Sequence, residues 1–244
     1  LIKDLWSELE SVENQKSAEV NPLPDVSFVS FEKYTGILYR ALQNLSSDYR
    51  QNINIITSLF GQFYGATCAL YNRLEEGMLC SVGQWATPPG YKEVDSPEGH
   101  LCYDVIKNGS ENALYVSRLP ETIYNETDPN VKLYNLQTYV GRAVFCEGKA
   151  VGSLCLVFQN DFIPDGAFYH VMDIFAAALG LEELRLSEAK RHLETEERLR
   201  VLINSTPDII CFKDAGGRWL QANDSILQLY RSEERRVGKE CRSR

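Results

Sequence analysis

Two pairs of extended segments, each joined by a short turn that contains glycine, constrain this fold more than any other sequence feature. The segments of each pair are rich in apolar and β-branched residues, and only Glu-Glu-Gly or Glu-Gly-Lys separates them. Such spacing predicts two antiparallel hairpins and therefore an antiparallel sheet. The four predicted strands are residues 67–74, 78–86, 138–146 and 149–159.

Helical patterns surround these strands. Apolar residues recur at helical spacing in residues 31–45 and 48–64, and Gly65 ends the second of these helices. Between the hairpins we expect a short helix at residues 100–107, a short strand at 113–116, and a helix capped by Asp128 that runs to about Leu136. From Pro164 to Pro207 the chain contains no further proline, which predicts one long helix.

The composition allows one ordinary domain core and argues against a nucleic-acid surface. The chain has 244 residues, 44% of them hydrophobic, which supports one core with a helix or a partial second domain besides. The formal net charge is −9, whereas binding to phosphates needs clustered Lys and Arg. The cysteines lie mostly in apolar stretches and never in a CxxC pair, which indicates reduced, buried thiols.

The sequence predicts no membrane contact for this stretch of chain. No apolar run approaches the roughly 20 residues that cross a bilayer. The first residues lack the basic start and apolar stretch of a secretory signal. We therefore expect a cytoplasmic location. Because the chain opens on Leu1 and not on Met, we also expect it to be part of a longer protein.

Three motifs resemble elements of GAF domains of bacterial sensor proteins. They are GHLCYDVI at residues 99–106, DPNVKLYNLQTYVG at 128–141 and GKAVGSLCLVF at 148–158. The resemblance implies an α+β fold in which helices flank a central antiparallel sheet, with a GAF domain at residues 26–180 after a leader at 1–25. Ala143 departs from the proline that many family members have at this position, which does not alter the expected fold.

The C-terminal part resembles the start of a second domain. Residues 197–230 are similar to the opening of a PAS domain, with an entry helix, two strands and a glycine turn. The match is too short for a whole PAS domain, so we expect a truncated one. Residues 231–244 contain six Lys or Arg and three Glu, and as codons they fit a common sequencing adapter. We interpret this tail as an artefact.

The helix between the two domains predicts self-association. Leu179, Leu186 and Leu193 recur every seven residues in a charged sequence. We therefore expect a coiled-coil signalling helix at residues 181–204 and a parallel homodimer through residues 179–203. The GAF resemblance implies that such a helix carries a signal to the output domain of a histidine kinase or a cyclic dinucleotide cyclase.

The resemblance also implies a ligand pocket between the sheet and the segment above it, residues 86–137. That region is rich in aromatic side chains, which stack on rings and donate hydrogen bonds, while an arginine pairs with anions. The ligand is a small molecule of unknown identity, and the same side chains could instead simply pack the segment on the sheet. The pocket candidates are Trp85, Cys102, Tyr103, Tyr124, Tyr134, Tyr139 and Arg142.

Several chemical alternatives remain open at the sequence level. His100 could ligate haem and Cys102 could attach a bilin, but no wider chromophore motif accompanies them. A thiol-dependent reductase of the GAF fold would need Cys80, Cys102 and Cys146 to converge. A third alternative is a ligand-free dimerisation scaffold. The chain lacks the glycine-rich loops of nucleotide-binding enzymes, so we expect a sensory input and relay module without catalytic residues.

Overall fold

The computed structural model describes residues 28–226 and Leu229, and it divides into two compact units between Glu182 and Glu183. The predicted leader and the basic tail lie outside the described residues.

The first unit is built on an antiparallel sheet with six strands in the described part of the chain. Their spatial order is β3-β2-β1-β6-β5-β4, and all neighbours are antiparallel. The predicted α+β class is confirmed. The strands are β1 (Cys68–Glu75), β2 (Met78–Trp85), β3 (Val94–Asp95), β4 (Leu114–Val116), β5 (Thr138–Cys146) and β6 (Lys149–Phe158).

Both predicted hairpins are confirmed, and their turns explain why they form. Glu76-Gly77 joins β1 to β2, and Glu147-Gly148 joins β5 to β6. All four turn residues have positive φ, between 50° and 82°. Two-residue turns of this kind match the right-handed twist of the strands that they connect. The two hairpins then pair through β1 and β6, which places the long strands at the centre of the sheet.

One face of the sheet is covered by the helical layer, which consists of α1 (Phe28–Asn44), α2 (Tyr49–Tyr64) and the start of α6 (Gly166–Ser205). Asp48 caps α2 by accepting hydrogen bonds from the backbone amides of its first turn, and Gly65 ends it in the left-handed conformation. Residues of β1, β5 and β6 that point to this face form one core with the helices, which includes Phe60, Tyr71, Val140, Leu154, Leu156, Phe168, Phe175 and Leu179.

Glycines allow the helices to approach the sheet closely. A Cβ atom at Gly61 of α2 would overlap the ring of Trp85 and the side chain of Ala69. A Cβ atom at Gly180 of α6 would overlap the carbonyl oxygen of Phe145. The backbone of α6 therefore lies directly against the end of β5.

The opposite face of the sheet is covered by the lid segment, residues 86–137. Its apolar side chains form a second core with Cys68, Leu70, Tyr139 and Cys155 of the sheet. The predicted helix after Asp128 is shorter than expected and ends at Leu133, since Asn135 adopts a positive φ of 52°. The lid segment contains β3, β4, a 3₁₀ turn (Leu119–Glu121), α3 (Leu101–Asn108), α4 (Tyr124–Thr127) and α5 (Pro129–Leu133).

The second unit contains the rest of α6 and a two-stranded hairpin, β7 (Cys211–Lys213) with β8 (Trp219–Ala222). Asn223 is fully buried and organises this unit: its side chain accepts a hydrogen bond from the Ile210 amide and donates to the carbonyls of Ile203 and Asp208. Both strands lie where the sequence predicted them. Among the described residues, no helix combines the length and the apolar character needed to cross a bilayer.

Candidate functional site

A cavity of about 220 Å³ lies between the sheet and the lid segment of the first unit. Its buried floor comes from alternate residues of the central strands, because successive side chains of a strand point to opposite faces. On β1 these are Cys68, Leu70 and Asn72, and on β6 they are Cys155 and Val157. Exposed residues such as Gly90, Lys92 and Leu133 form its rim, so the cavity opens to solvent.

Three polar side chains form a hydrogen-bonded chain from the floor toward the rim. Ser81 Oγ donates to Asn72 Oδ1 at 2.5 Å, and Tyr91 OH lies 2.7 Å from Ser81 Oγ. Since the single hydroxyl proton of Ser81 goes to Asn72, the Tyr91 hydroxyl donates to Ser81. Burial raises the pKa of Tyr91 well above its usual value, so the Tyr91 hydroxyl stays protonated.

The pairing of Asn72 with Ser81 depends on a β-bulge. The register between β1 and β2 shifts between Tyr71 and Asn72, so that Asn72 lies opposite Ser81. Tyr71 points to the helical layer, where it is fully buried. The bulge therefore places two polar side chains together in the cavity wall while their neighbours remain in the core.

A second polar cluster surrounds His100 at the start of α3. His100 Nδ1 lies 3.2 Å from Asp128 Oδ1, and its Nε2 lies 4.0 Å from Asp95 Oδ2. The hydrogen bond to Asp128 raises the pKa of His100, although burial opposes this shift. At high pH the neutral ring carries its proton on Nδ1, because the carboxylate of Asp128 can only accept.

Asp128 holds two helix N-termini in the lid segment. Its Oδ1 accepts a hydrogen bond from the Asn130 amide at the start of α5, as predicted from the Asp-Pro sequence. Its Oδ2 accepts from the Leu101 amide at the start of α3, for which His100 supplies no side-chain cap. The cluster therefore fixes the relative positions of α3 and α5 at one end of the cavity.

Three thiols line the cavity in the described part of the chain, those of Cys68, Cys102 and Cys155. Cys102 Sγ lies 3.5 Å from Cys155 Sγ, and it accepts hydrogen bonds from Asn72 Nδ2 at 3.1 Å and Tyr139 OH at 3.5 Å. Burial raises the pKa of Cys68 to about 12. Asn72 Nδ2 also lies 4.0 Å from Cys155 Sγ, so the shorter contact of this amide and the Tyr139 hydroxyl both go to Cys102.

Of the candidates predicted from the sequence, Cys102, Tyr134 and Tyr139 line the cavity. The others lie elsewhere. Trp85 packs on α2, and Arg142 lies on the helical face of the sheet, where its guanidinium is 2.8 Å from Asp173 of α6.

The other two predicted tyrosines pack on the outside of the lid segment. The Tyr124 hydroxyl donates to Asp104 Oδ2 at 2.9 Å, and the pKa of Tyr124 rises to about 12, chiefly through burial. The ring of Tyr103 lies 5.9 Å from the Lys107 ammonium. These contacts support the alternative interpretation that such tyrosines pack the lid segment.

Sequence reasoning missed Asn72, Ser81, Asp128 and Cys155 as cavity residues. The signal for Asn72 and Ser81 was present, because each is a polar residue inside an otherwise apolar strand. Asp128 was recognised only as a helix cap. Cys155 carried no signal, since a cysteine in an apolar strand is ordinarily a core residue.

The cavity does not fit the large cofactors that His100 and Cys102 suggested. Its volume lies below the roughly 300–1,000 Å³ typical of pockets for drug-sized ligands, and haem or a bilin needs at least that space. His100 Nδ1 is held by Asp128 and its Nε2 faces Asp95. Within the described ranges, no three His, Cys, Asp or Glu side chains are grouped so as to hold a metal ion.

The thiols proposed for a reductase are not brought together in the cavity. Of Cys80, Cys102 and Cys146, only Cys102 lines it. Burial raises the pKa of Cys80. The cysteines that do accompany Cys102 are Cys68 and Cys155.

Known structures share this fold. The chain is similar to the GAF domain of an Acinetobacter phosphoenolpyruvate-protein phosphotransferase, with 12% identity and a TM-score of 0.55 over 67% of this chain and 96% of that one. The corresponding domain from Coxiella burnetii is 12% identical, with a TM-score of 0.55 over 66% of this chain and 96% of that one. A free methionine-R-sulfoxide reductase from Neisseria meningitidis is 12% identical, with a TM-score of 0.53 over 65% of this chain and 90% of that one.

These similarities show that the first unit has a GAF fold. Identities this low carry the architecture and not the ligand or the chemistry. The sequence matches no protein-family model and no curated protein.

Proposed function

We propose that the first unit is a sensory domain that binds a small molecule in the cavity and passes the change through α6. The observation that carries this proposal is the cavity itself, which has apolar walls and two convergent polar clusters, at Ser81–Tyr91 and at His100–Asp128. Ligand sites in proteins combine these features. The GAF fold, which also occurs in signalling proteins such as a methyl-accepting chemotaxis protein, supports a sensory role.

The charges around the cavity favour a neutral or cationic ligand. Among the residues that the structure describes, Asp95 and Asp128 are the acidic ones in its wall, and the basic ones are Lys92 and His100. Lys92 is mostly exposed and lies 4.0 Å from Asp95. Phosphate recognition relies on positive charge besides hydrogen-bond donors, and in this wall each basic side chain lies near a carboxylate. A small aromatic molecule with an amine is the chemistry that fits the wall and the volume.

Strand β5 connects the cavity to α6 within the first unit. Tyr139 of β5 lies in the cavity wall, whereas Arg142 of the same strand forms the ion pair with Asp173 of α6. The backbone of α6 also contacts β5 at Gly180 and Phe145. A ligand that displaces Tyr139 would therefore act on a strand that holds the helix.

The remaining steps of the relay belong to the same proposal. The helix leads to residues 197–230, whose resemblance to a PAS start supports a bacterial signalling protein with a histidine kinase or diguanylate cyclase output. We place the protein in the cytoplasm, and we expect two copies to associate through α6.

Thermal shifts with three indoles of different charge test the binding proposal. We expect tryptamine, a cation, to raise the melting temperature most, indole to raise it less, and indole-3-acetate to leave it unchanged. A ligand at about 100 times its Kd adds about 2.7 kcal/mol to the free energy of unfolding. A panel of nucleotides and small metabolites extends the search in the same assay.

A matched pair of variants locates the site. Leu79→Trp fills the cavity and is expected to abolish the shift, whereas Leu74→Trp, at the exposed end of β1, is expected to preserve it. Equal shifts in both variants would show binding elsewhere. No shift with any compound would favour the ligand-free scaffold, and turnover of methionine sulfoxide with a dithiol would favour the reductase.

A further inference from the structure

The thiols of Cys102 and Cys155 are in contact although 53 positions separate them in the sequence. Cys102 lies on α3 of the lid segment, and Cys155 lies at the centre of the sheet on β6. Their sulfur atoms are 3.5 Å apart, and a disulfide bond of about 2.05 Å requires each to move by less than 1 Å. Oxidation would therefore tie the lid segment to the sheet with little rearrangement.

The surroundings distinguish the two thiols chemically. In the reduced pair the Cys102 thiol donates to Cys155. Once Cys102 is ionised, the Cys155 thiol can donate to it, and this contact, with further donation from the Tyr139 hydroxyl, lowers the pKa of Cys102 although burial opposes the shift. The Asn72 amide adds a third donor at 3.1 Å. Donation to Cys102 and burial raise the pKa of Cys155. Cys102 is thus arranged as the nucleophile and Cys155 as the thiol that resolves the product.

A small oxidant can reach this pair through the cavity. Cys102 and Cys155 both lie in its wall, and the rim residues Lys92 and Leu133 are exposed. Cys68 also lies in the wall, but no hydrogen bond joins it to the pair in the described part of the chain, and it serves as an internal comparison.

We propose that Cys102 and Cys155 are a hydroperoxide-responsive pair that forms a reversible disulfide in the cavity wall. The Cys102 thiol first loses its proton to solvent, and the thiolate attacks the hydroperoxide, so that an S–O bond forms and the O–O bond breaks. The departing alkoxide or hydroxide takes up a proton from solvent and leaves as an alcohol or water. The Cys155 thiol then attacks the Cys102 sulfenic acid, so that the S–S bond forms and the hydroxyl group leaves as water with the Cys155 proton. The peroxide is reduced by two electrons and the two thiols are oxidised.

This inference does not depend on the ligand proposal, because the reaction needs only the pair and an oxidant. It would nevertheless alter the cavity, since Asn72 and Tyr139 both donate to the sulfur that becomes part of the disulfide.

Peptide mapping of the purified full chain tests the proposal. The reduced protein is treated with hydrogen peroxide, alkylated with N-ethylmaleimide under denaturing conditions, and digested. We expect a linked Cys102–Cys155 peptide that dithiothreitol removes. Cys102→Ser and Cys155→Ser abolish the link, and Cys68→Ser retains it. The proposal would be overturned if the parent chain formed no linked peptide, formed a link to Cys68, or carried a Cys102 sulfinic acid together with an alkylated Cys155. These outcomes are measured on the parent chain, so they do not depend on whether a variant folds.

The pH dependence of oxidation tests the role of Asn72 as a positioning residue. Asn72→Leu has a similar volume but lacks the amide donor, so we expect the rate of link formation at pH 7 to fall by about tenfold and its half-maximal pH to rise. An unchanged pH profile with the same linked peptide would contradict the role of Asn72. A change in stability alone would not shift the profile.

Discussion

Three buried polar side chains of this domain, those of Asn52, Asn72 and Asp128, are each held by more than one hydrogen bond. Asn52 of α2 is fully buried; its side chain accepts from the Ser46 amide, donates to the Ser46 carbonyl and donates to Glu182 at 3.0 Å. Asn72 and Asp128 follow the same principle in the cavity wall. Buried polar groups are retained where they are satisfied, because an unsatisfied one costs about 1–3 kcal/mol.

His100 makes the stability of the domain depend on pH. The hydrogen bond to Asp128 raises the pKa of His100 above about 6.5, its unfolded value. The extra stability is therefore fully present below about pH 6.5 and is lost as the pH rises through the folded pKa. We expect His100→Gln to lower the melting temperature more at pH 5.5 than at pH 8.5, as measured by calorimetry.

An Asp128→Asn background is the control for this effect. Asparagine still accepts hydrogen bonds at the start of α5 but carries no charge to stabilise the imidazolium. In that background His100→Gln should lower the melting temperature by the same amount at pH 5.5 and at pH 8.5. If the pH dependence persists, then its source is another group, such as Asp95.

The helices of the helical layer differ in how closely they approach their neighbours. Gly180 places the backbone of α6 against the Phe145 carbonyl, whereas Gly36 of α1 has open space where a Cβ would lie. Identical substitutions at these glycines therefore have opposite consequences.

We expect Gly180→Ala to destabilise the domain by about 1–3 kcal/mol, because the added methyl group forces α6 away from β5. Gly36→Ala should instead stabilise it by about 0.5–1 kcal/mol, since alanine favours the helix interior. Urea unfolding measures both. If both substitutions changed the free energy of unfolding equally, then α6 could move away from β5 without loss of stability. That result would also weaken the proposed relay.

The seam that we propose for self-association differs from the predicted heptad. Leu179 is fully buried in the core of the first unit, so it is occupied within its own chain. Farther along α6, Leu193, Leu199 and Leu202 are more than half exposed. The surface that we propose for the second copy therefore begins near Leu193.

Leu193→Glu is expected to convert the proposed dimer to monomer, because it places a charge in the apolar seam. Analytical ultracentrifugation measures this. Glu188→Gln, an exposed position on the same helix, serves as the control and should leave the mass unchanged. A monomeric parent chain would overturn the dimer and the relay through paired helices, but not ligand binding.

Features of the fold that depend on neighbouring residues could be predicted from the sequence. The Glu-Gly turns, the helix end at Gly65 and the Asp-Pro helix start could all be predicted, because hydrogen bonds and backbone angles within a few residues decide them. These features sufficed to predict the two hairpins and the helix ends, whereas the α+β GAF fold was implied by the resemblance of three motifs.

Which side chains share the cavity depends on long-range packing. Trp85 and Arg142 were predicted as pocket residues, yet both side chains lie on the face of the sheet that contacts the helical layer. A bulge brings Asn72 to Ser81, and the packing of α3 on β6 brings Cys102 to Cys155. Contacts across 53 residues depend on strand register and on how the lid segment packs, and neither property is encoded in any local pattern of residues.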